Sequence, residues 1–267
     1  MKQAPPIDKS APKEVADTGI KILWTGGWDS TFRVLYATVV DGMRVEPHYI
    51  VDLDRQSTLH ELRAISEIKD SLRMLDQLAY DRISNLRVTL KSEIPDDMAI
   101  TSSWERLKLR APLGSQYDWI ARYAESHHLH DLELSVHVDD RAHYFLNENV
   151  EPIPCGGYRL NRGITGDENI FARFRFPILA YSKTQMRDIA RERGFLQILE
   201  KSWFCHRPIN GIPCGTCSPC YYAIKEGMRY RLPRRSLLRY HAWRYRRALQ
   251  SPSLCIKVVR SRLKSLL

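Results

Sequence analysis

The sequence predicts an α/β fold in which a parallel β-sheet carries helices on both faces. Two observations lead to this prediction: short apolar runs of strand length alternate with longer segments of helical periodicity, and the chain shows no internal repeat. Strands separated by helices of this length are typical of βαβ units, whose crossover helices pack on a parallel sheet. A length of 267 residues allows one large domain with appendages.

Four strands are expected. The first is the short apolar run IKILW, which suits a strand that is buried on both faces, and the second ends in Asp52. The predicted strands cover residues 20–24, 45–53, 85–91 and 131–139.

Helices are expected between and after these strands. Residues 57–79 predict one long helix, because leucine and isoleucine recur every three or four positions. The last predicted helix starts after Ser182, a candidate N-cap, and stops at Gly194. The segment after residue 91, which contains two prolines, has weaker signals. The predicted helices cover residues 28–41, 57–79, 115–129 and 183–194.

The net charge of +10 is concentrated at the C-terminus. No acidic residue follows Glu226, whereas twelve Lys or Arg occur in residues 227–267. The preceding residues carry 29 basic and 31 acidic side chains, so the basic pI does not indicate that the body binds nucleic acid.

The N-terminal residues 1–18 predict a flexible arm from their proline, alanine and charge content. This arm has no apolar segment of the kind found in secretory signals, and no apolar run approaches the roughly 18 residues of a membrane span. We therefore expect a cytoplasmic protein without a membrane span.

The most informative stretch is WTGGWDST, which follows the first strand and is named here the glycine loop, Trp24–Thr31. Ligands of an open parallel sheet bind beyond the carboxyl ends of its strands, and glycine lets the backbone turn sharply and approach a ligand. The amides of such a turn and of the helix that follows form a phosphate site. Ser30 and Thr31 can add hydroxyl donors, and Asp29 either shapes the loop or binds Mg²⁺. The alternative is a helix N-cap after an ordinary turn.

The glycine loop fits neither the dinucleotide nor the Walker pattern. Its residues Thr25-Gly26-Gly27-Trp28-Asp29-Ser30 resemble the SGGxDS signature of the PP-loop ATP pyrophosphatases, with threonine at the first serine. The resemblance implies that ATP adenylates a substrate oxygen here and that pyrophosphate leaves into the loop amides. It implies catalytic roles for Ser30 and Asp29. The implied ATP-binding residues are Trp24, Thr25, Gly26, Gly27, Trp28, Asp29, Ser30 and Thr31.

Four cysteines, Cys205, Cys214, Cys217 and Cys220, are spaced C-x8-C-x2-C-x2-C. Such clustering without a secretion signal favours a metal site over disulfides. Paired C-x2-C turns can direct thiolates at one point, and Zn²⁺ favours a closed tetrahedral set of four. An iron–sulfur cluster and a disulfide pair are the alternatives.

Together, the glycine loop and the cysteine spacing resemble the 7-cyano-7-deazaguanine synthase family, and the stretch 176–205 is similar to that family too. The resemblance covers about residues 20–228. It implies a Rossmann-like (adenine nucleotide alpha hydrolase-like) sheet with a C-terminal zinc knuckle, and the use of ATP, Mg²⁺ and Zn²⁺. The implied reaction, a step of queuosine biosynthesis, converts 7-carboxy-7-deazaguanine and ammonia to the nitrile.

The sequence departs from the family in its substrate-reading middle, where Asp139, Asp140 and Tyr144 stand without the usual pattern. The stretch Tyr221-Tyr222-Ala223 replaces an arginine that often follows the last cysteine. Two alternative functions result. One is the same chemistry on a protein or RNA acceptor, as for members found in antiviral defence clusters, and the other is a non-catalytic nucleotide-binding partner subunit.

The C-terminal segment predicts a basic amphipathic helix that could bind RNA, a protein or an anionic membrane, or pack on the zinc region with its arginines in solvent. A homodimer is a further option for the chain. The predicted apolar face comprises Leu237, Leu238, His241, Ala242, Tyr245, Ala248 and Leu249. The predicted organisation is an arm at 1–18, a PP-loop domain at 19–200, a four-cysteine knuckle at 201–228 and a basic tail at 229–267.

Overall fold

The structure is a computed structural model that describes residues 19–154 and 156–249. It has the predicted α/β architecture, but its central sheet has seven strands where the sequence predicted four. The strands are β1 (Ile20–Leu23), β2 (Val45–Val51), β3 (Arg87–Leu90), β4 (Leu132–Glu133), β5 (Val150–Pro152), β6 (Tyr158–Leu160) and β7 (Phe174–Phe176). The predicted N-terminal arm and the last residues of the predicted tail lie outside the described residues.

Ten α-helices occur in the described ranges. They are α1 (Trp28–Leu35), α2 (Thr58–Leu75), α3 (Gln77–Asp81), α4 (Met98–Arg110), α5 (Gln116–Ser126), α6 (His143–Leu146), α7 (Lys183–Glu192), α8 (Leu196–Leu199), α9 (Ser218–Lys225) and α10 (Arg234–Leu249). None of these described helices has both the length and the apolar content that a membrane crossing requires.

The sheet order is β3-β2-β1-β4-β7-β6-β5. The first five strands of this order are parallel to their neighbours, which confirms the predicted parallel sheet. The remaining pairs, β7 with β6 and β6 with β5, are antiparallel. The sequence did not predict this antiparallel edge, because strands of three residues are too short to show an alternating pattern.

The strand order reverses direction at β1. From β1 the chain proceeds outward to β2 and β3, and it later returns to place β4 on the other side of β1. In open α/β sheets, such a reversal opens a crevice at the carboxyl ends of the two strands involved, and ligands bind there. The fold therefore marks the ends of β1 and β4 as the place to look for a site.

Several predicted elements differ in detail. The predicted helix at 57–79 is two helices, because the Asp76 carboxylate accepts a hydrogen bond from the Ala79 amide at 2.9 Å and starts α3 as an N-cap. The predicted strand at 131–139 pairs only at Leu132–Glu133. The weak segment after residue 91 contains α4. Ser182 does cap α7, where it forms a capping box with Gln185.

The described residues divide into two compact units. The sheet unit comprises residues 19–54 and 58–203, and its core is built from large buried side chains such as Trp24, Phe171 and Phe174. The C-terminal unit comprises residues 55–57 and 204–249, and it contains the four cysteines with α9 and α10.

Candidate active site and candidate metal centre

The glycine loop joins β1 to α1 at the carboxyl end of β1. The segment that follows β4 ends at the same edge of the sheet, because β1 and β4 are parallel neighbours. It carries His137, whose side chain is buried. The loop and this segment thus meet at the crevice between β1 and β4, the preferred ligand position in such a sheet.

Gly26 is required by the packing of α2 against the loop. Its φ of +67° lies in the left-handed region, and an added Cβ would stand 2.7 Å from the carbonyl oxygen of Glu61 in α2. On the other side, the Gly26 carbonyl accepts a hydrogen bond from the Trp203 amide at 2.8 Å. The space that this glycine leaves is therefore filled by protein, whereas the sequence suggested only a close approach to a ligand.

The hydroxyls of Thr25 and Ser30 hold the loop in shape. The Ser30 Oγ accepts from the Thr25 amide at 3.3 Å and donates to the Gly27 carbonyl at 3.4 Å. The two hydroxyl oxygens lie 3.3 Å apart, and the Gly27 amide donates to the Thr25 Oγ1 at 3.4 Å. Because Thr25 supplies the same hydroxyl as serine would, the threonine of this sequence suits the loop.

The first turn of α1 leaves amides without helical partners. The first helical hydrogen bond runs from the Thr31 amide to the Gly27 carbonyl at 3.0 Å. The amides of Asp29 and Ser30 come before it, so the helix itself provides them with no acceptor. Such amides, together with the positive end of the helix dipole, favour an anion.

Four residues of the predicted ATP-binding set, Ser30 among them, have buried side chains. The Trp24 indole donates to the Thr31 Oγ1 at 3.0 Å, and both side chains are fully buried. Trp28 is buried as well. In this conformation Trp24, Trp28 and Thr31 support the loop from behind, so a nucleotide would meet them through their backbone.

Asp29 lies at the centre of the polar groups beside the loop. Its Oδ2 is 3.5 Å from the Nζ of Lys183, the first residue of α7, and 3.8 Å from the Nε2 of His137. Its Oδ1 is buried and has no hydrogen-bond partner in the parts of the chain that the structure describes. The carboxylate also offsets the cost of placing a lysine at the positive end of α7.

The hydrogen bond of the His137 ring fixes its tautomer. Its Nδ1 accepts from the Asp139 amide at 3.2 Å. A neutral imidazole with an accepting Nδ1 carries its proton on Nε2, which is the nitrogen that faces Asp29. His137 therefore presents a proton toward the Asp29 carboxylate.

A buried ion pair fastens the two sides of this site to each other. The Arg33 guanidinium in α1 makes two hydrogen bonds to Glu133 in β4, at 2.8 and 2.9 Å, and a third to Asp41 at 3.0 Å. Burial alone would lower the pKa of Arg33, but the Glu133 and Asp41 carboxylates raise it overall. The pair holds the helix that follows the loop against the strand that leads to His137.

The Asp140 carboxylate forms hydrogen bonds with nearby residues. Its Oδ1 accepts hydrogen bonds from the Tyr117 hydroxyl at 3.0 Å and from the Ala142 amide at 2.8 Å. Burial, and then the carboxylates of Asp140 and Asp29, raise the pKa of Tyr117 well above its usual value. Tyr144, by contrast, is exposed.

Lys183 and His137 are the site residues that the sequence analysis missed. They lie more than a hundred residues from Asp29 along the chain, and only the strand order brings them to it. A signal was present for Lys183, since it follows directly after the predicted N-cap Ser182. The signal for His137 was weaker: it is the histidine in the largely apolar run that continues β4.

The four cysteines converge in the C-terminal unit. Their Sγ atoms all lie within 4.8 Å of one another, and none forms a disulfide. The Sγ atoms of Cys205 and Cys217 are 3.8 Å apart, and those of Cys214 and Cys220 are 3.9 Å apart. These separations match the edge of a tetrahedron with metal–sulfur bonds of about 2.3 Å, which is roughly 3.8 Å. The group could therefore hold one metal ion.

Backbone amides surround the sulfurs in the way expected for thiolates. The Cys214 amide donates to the Cys205 Sγ at 3.1 Å, and the Thr216 and Cys217 amides both donate to the Cys214 Sγ at 3.3 Å. The Gly215 amide donates to the Cys220 Sγ at 3.3 Å. Donors of this kind orient metal ligands and stabilise their negative charge.

The cysteines cannot all ionise without a cation. Hydrogen bonds from Cys205 and Cys220 lower the pKa of the Cys217 thiol, while the contact with Cys217 raises the pKa of Cys205 to about 12. A bound divalent ion removes this conflict, because it neutralises the thiolates together. The spacing favours a single ion, since the ligands of a multi-iron cluster must stand farther apart.

Comparisons with known proteins found distant likenesses among solved structures. No protein-family model matches the chain, and no curated protein matches it. Among solved structures, the NMN synthetase from Francisella tularensis is similar at a TM-score of 0.35 and 15% identity, over 85% of this chain and 84% of that one. Because a likeness this weak carries no functional argument, the function of this chain has to be inferred from its own residues.

Proposed function

We propose that this chain is an ATP-dependent ligase that breaks the α–β phosphate bond of ATP and adenylates an acceptor oxygen. The observation that supports this most is the glycine loop at the reversal of the strand order, with Lys183 held beside it by Asp29 at 3.5 Å. The loop offers amides, and Lys183 offers a positive charge. A triphosphate needs both.

Each residue has a defined part in this proposal. The amides of Asp29 and Ser30 bind the departing pyrophosphate, and the Thr25–Ser30 hydroxyl pair keeps the loop open toward it. Lys183 neutralises charge on the phosphates as it develops. Asp29 orients Lys183 and His137, and its buried Oδ1 is the group that could bind a nucleotide-borne Mg²⁺.

The chemistry explains why ATP is needed. A carboxylate reacts poorly with ammonia, because its leaving group would be an oxide ion. Adenylation transfers that oxygen to AMP, which leaves readily, and ammonia then forms an amide. A second ATP can remove the amide oxygen in the same way and give a nitrile, with two AMP and two pyrophosphate released for each nitrile. The protein mainly holds the reactants together and neutralises charge.

The acceptor we propose is 7-carboxy-7-deazaguanine, as in the 7-cyano-7-deazaguanine synthase family that the sequence resembles. The cysteine centre fits a structural Zn²⁺, which Cys205, Cys214, Cys217 and Cys220 would hold. Four thiolates leave no open position for water, so this ion would contribute folding energy and no catalytic chemistry. The proposed zinc site therefore has a structural role, and its presence does not indicate which acceptor the enzyme uses.

Mass spectrometry of a reaction with MgATP, ammonia and 7-carboxy-7-deazaguanine tests the proposal. We expect AMP, pyrophosphate and the nitrile, and we expect Gly26→Ala to abolish all three. Formation of AMP without the nitrile would support an adenylating ligase and show that its acceptor is a different compound. Binding of ATP without any AMP, from metal-loaded folded protein, would contradict the enzyme and favour a nucleotide-binding subunit.

A further inference from the structure

Helix α10 carries a strong positive charge with no acidic residue in its own sequence. Its sixteen residues include six arginines, and residues 227–249 contain no acidic side chain. Arg234, Arg235 and Arg246 are all exposed. Arg234 and Arg235 also stand in the first turn, where the helix dipole disfavours cations, so helix stability does not account for them.

The helix is fixed to the four-cysteine centre. Its Ser236 hydroxyl donates to the Pro213 carbonyl, and the Arg239 guanidinium donates to the Cys214 carbonyl at 2.8 Å. Gly215 accommodates this contact, because an added Cβ would lie 2.1 Å from the Ser236 carbonyl oxygen. The N-terminal half of α10 therefore packs against the four-cysteine centre.

The buried face of α10 is not the predicted apolar face. Ser236 and Tyr240 are the buried residues of the helix. Three large apolar residues of the predicted face are exposed instead, Leu238 by 70%, Tyr245 by 67% and Leu249 by 58%, while Leu237 is half-buried. The helix thus packs on the cysteine centre, one of the options that the sequence left open, but it does so through hydrogen bonds from Ser236 and Arg239 to carbonyls and not through the predicted apolar face.

Leu238, Tyr245 and Leu249 form one outer strip. At 3.6 residues per turn they lie within about 40° of one another, directly opposite the buried face. Arg234 borders the strip on one side, and Arg235 and Arg246 border it on the other. The strip is thus an apolar line with positive charge on both sides, on the face of α10 opposite Ser236 and Tyr240.

We propose that the outer strip of α10 docks on an anionic lipid bilayer. The arginines require a negatively charged partner, and the exposed leucines require an apolar one. A bilayer with anionic headgroups supplies both, since the leucines enter the boundary of the acyl chains while the arginines reach back to the phosphates. Nucleic acid offers phosphates but nothing in which to bury two leucines, so it fits the strip less well.

Flotation of the metal-loaded full chain with vesicles tests the docking. We expect the chain to float with vesicles of phosphatidylcholine and phosphatidylserine, but not with phosphatidylcholine alone. Leu238→Ser with Leu249→Ser should weaken binding about tenfold or more. The matched control is Leu109→Ser, since Leu109 is 87% exposed on α4 of the sheet unit, and it should leave binding unchanged.

A second variant isolates the charge. Replacing Arg234, Arg235 and Arg246 with Gln should weaken binding about a hundredfold, because each arginine near an anionic surface contributes on the order of a factor of five. The control removes the same charge from exposed residues of the sheet unit: Arg63→Gln, Arg73→Gln and Lys108→Gln. It should bind as the parent chain does.

The outcomes separate the lipid from its rivals. Loss of flotation in both α10 variants, with both controls intact, supports the proposal. Failure to float with phosphatidylserine vesicles overturns it, and so does binding that depends on the arginines but not on the leucines. Binding of a single-stranded RNA by fluorescence anisotropy, without vesicle binding, would likewise overturn it and assign the strip to nucleic acid.

Discussion

The glycine loop and the four-cysteine centre reach their geometry by different means. The loop is held by the sheet unit's own packing: Gly26 against α2, a hydroxyl pair, and the buried Arg33–Glu133 ion pair. In the described part of the C-terminal unit, Ala223, Met228, Leu232 and Tyr240 are the buried apolar residues besides cysteines. So small a core seldom folds without a metal or another cross-link.

The two centres should therefore respond differently to their ligands. The loop is formed in advance, so nucleotide should bind to an existing shape. If the cysteine centre holds the proposed metal, the ion neutralises the thiolates, so the shape of the centre and its metal should appear together. Experiments that perturb one centre at a time test this contrast.

Removal of the metal should have the largest effect. Structural Zn²⁺ contributes about 10–16 kcal/mol to the folding of small modules near neutral pH. A strong chelator should therefore abolish hydrogen-exchange protection in residues 204–249, including α10. Amides of β1, β2 and α1 should stay protected. Equal loss of protection in both units would mean that the loop also depends on the metal.

Breaking the buried ion pair should come next. Arg33→Met leaves Glu133 buried without its partner and should cost about 3–5 kcal/mol in the free energy of unfolding. Chemical denaturation measures this. The double variant Arg33→Met with Glu133→Leu should recover much of the loss, because it removes the buried carboxylate as well, and Asp41, which also loses Arg33, is partly exposed. A single variant as stable as the parent would show that the pair does not hold the site.

The charge beside the loop should affect turnover more than folding. Lys183→Met should slow AMP formation by about a hundredfold to a thousandfold, as expected for loss of a pre-placed charge at a developing anion. Its unfolding free energy should barely change. Lys108→Met, in an exposed lysine of α4, is the control and should leave turnover at the parent rate.

The packing of Gly26 should be visible in a matched glycine pair. Gly26→Ala incurs a left-handed φ and a contact with the Glu61 carbonyl, so it should cost about 3 kcal/mol. Gly42 has the same φ of +67°, but the nearest atom to an added Cβ is 3.9 Å away. Gly42→Ala should therefore cost only about 1 kcal/mol. Equal costs would remove the argument that α2 closes on the loop.

The smallest effect should come from pH. His48 is buried, its Nδ1 lies 2.7 Å from the Tyr123 hydroxyl, and burial lowers its pKa below 6.5. Because the folded pKa is depressed, the stability from His48 is complete above pH 6.5 and is lost as pH falls through the folded pKa. Urea denaturation at a series of pH values in this range measures the free energy of unfolding. That free energy should depend less steeply on pH for His48→Gln than for the parent. An unchanged slope would assign the acid sensitivity to other groups.

Local patterns in the sequence were enough for much of the fold. The strands β1, β2 and β3 and the helices α5 and α7 fall where apolar periodicity and the Ser182 cap predict them. The antiparallel edge escaped because β5 and β6 are stabilised by their neighbours and not by a pattern of their own. The break at Asp76 was missed because a helical repeat runs through it.

The candidate site divides along the same line. The loop residues adjoin one another in the chain, so their spacing alone revealed them, and the same is true of the four cysteines. His137 and Lys183 could not be found in this way, since their nearness to Asp29 depends on the strand order. The ligand roles predicted for the loop residues stay predictions.

By itself, the sequence determined an α/β sheet, a glycine loop after its first strand and four cysteines suited to one metal ion. These features depend on neighbouring residues, whose spacing survives in the linear chain. Tertiary packing set the rest: Asp29 meets Lys183 and His137, α2 requires a glycine at position 26, and α10 turns Leu238 and Leu249 outward. These facts depend on which distant segments pack together, because packing selects contacts by shape and hydrogen bonding that no local pattern records.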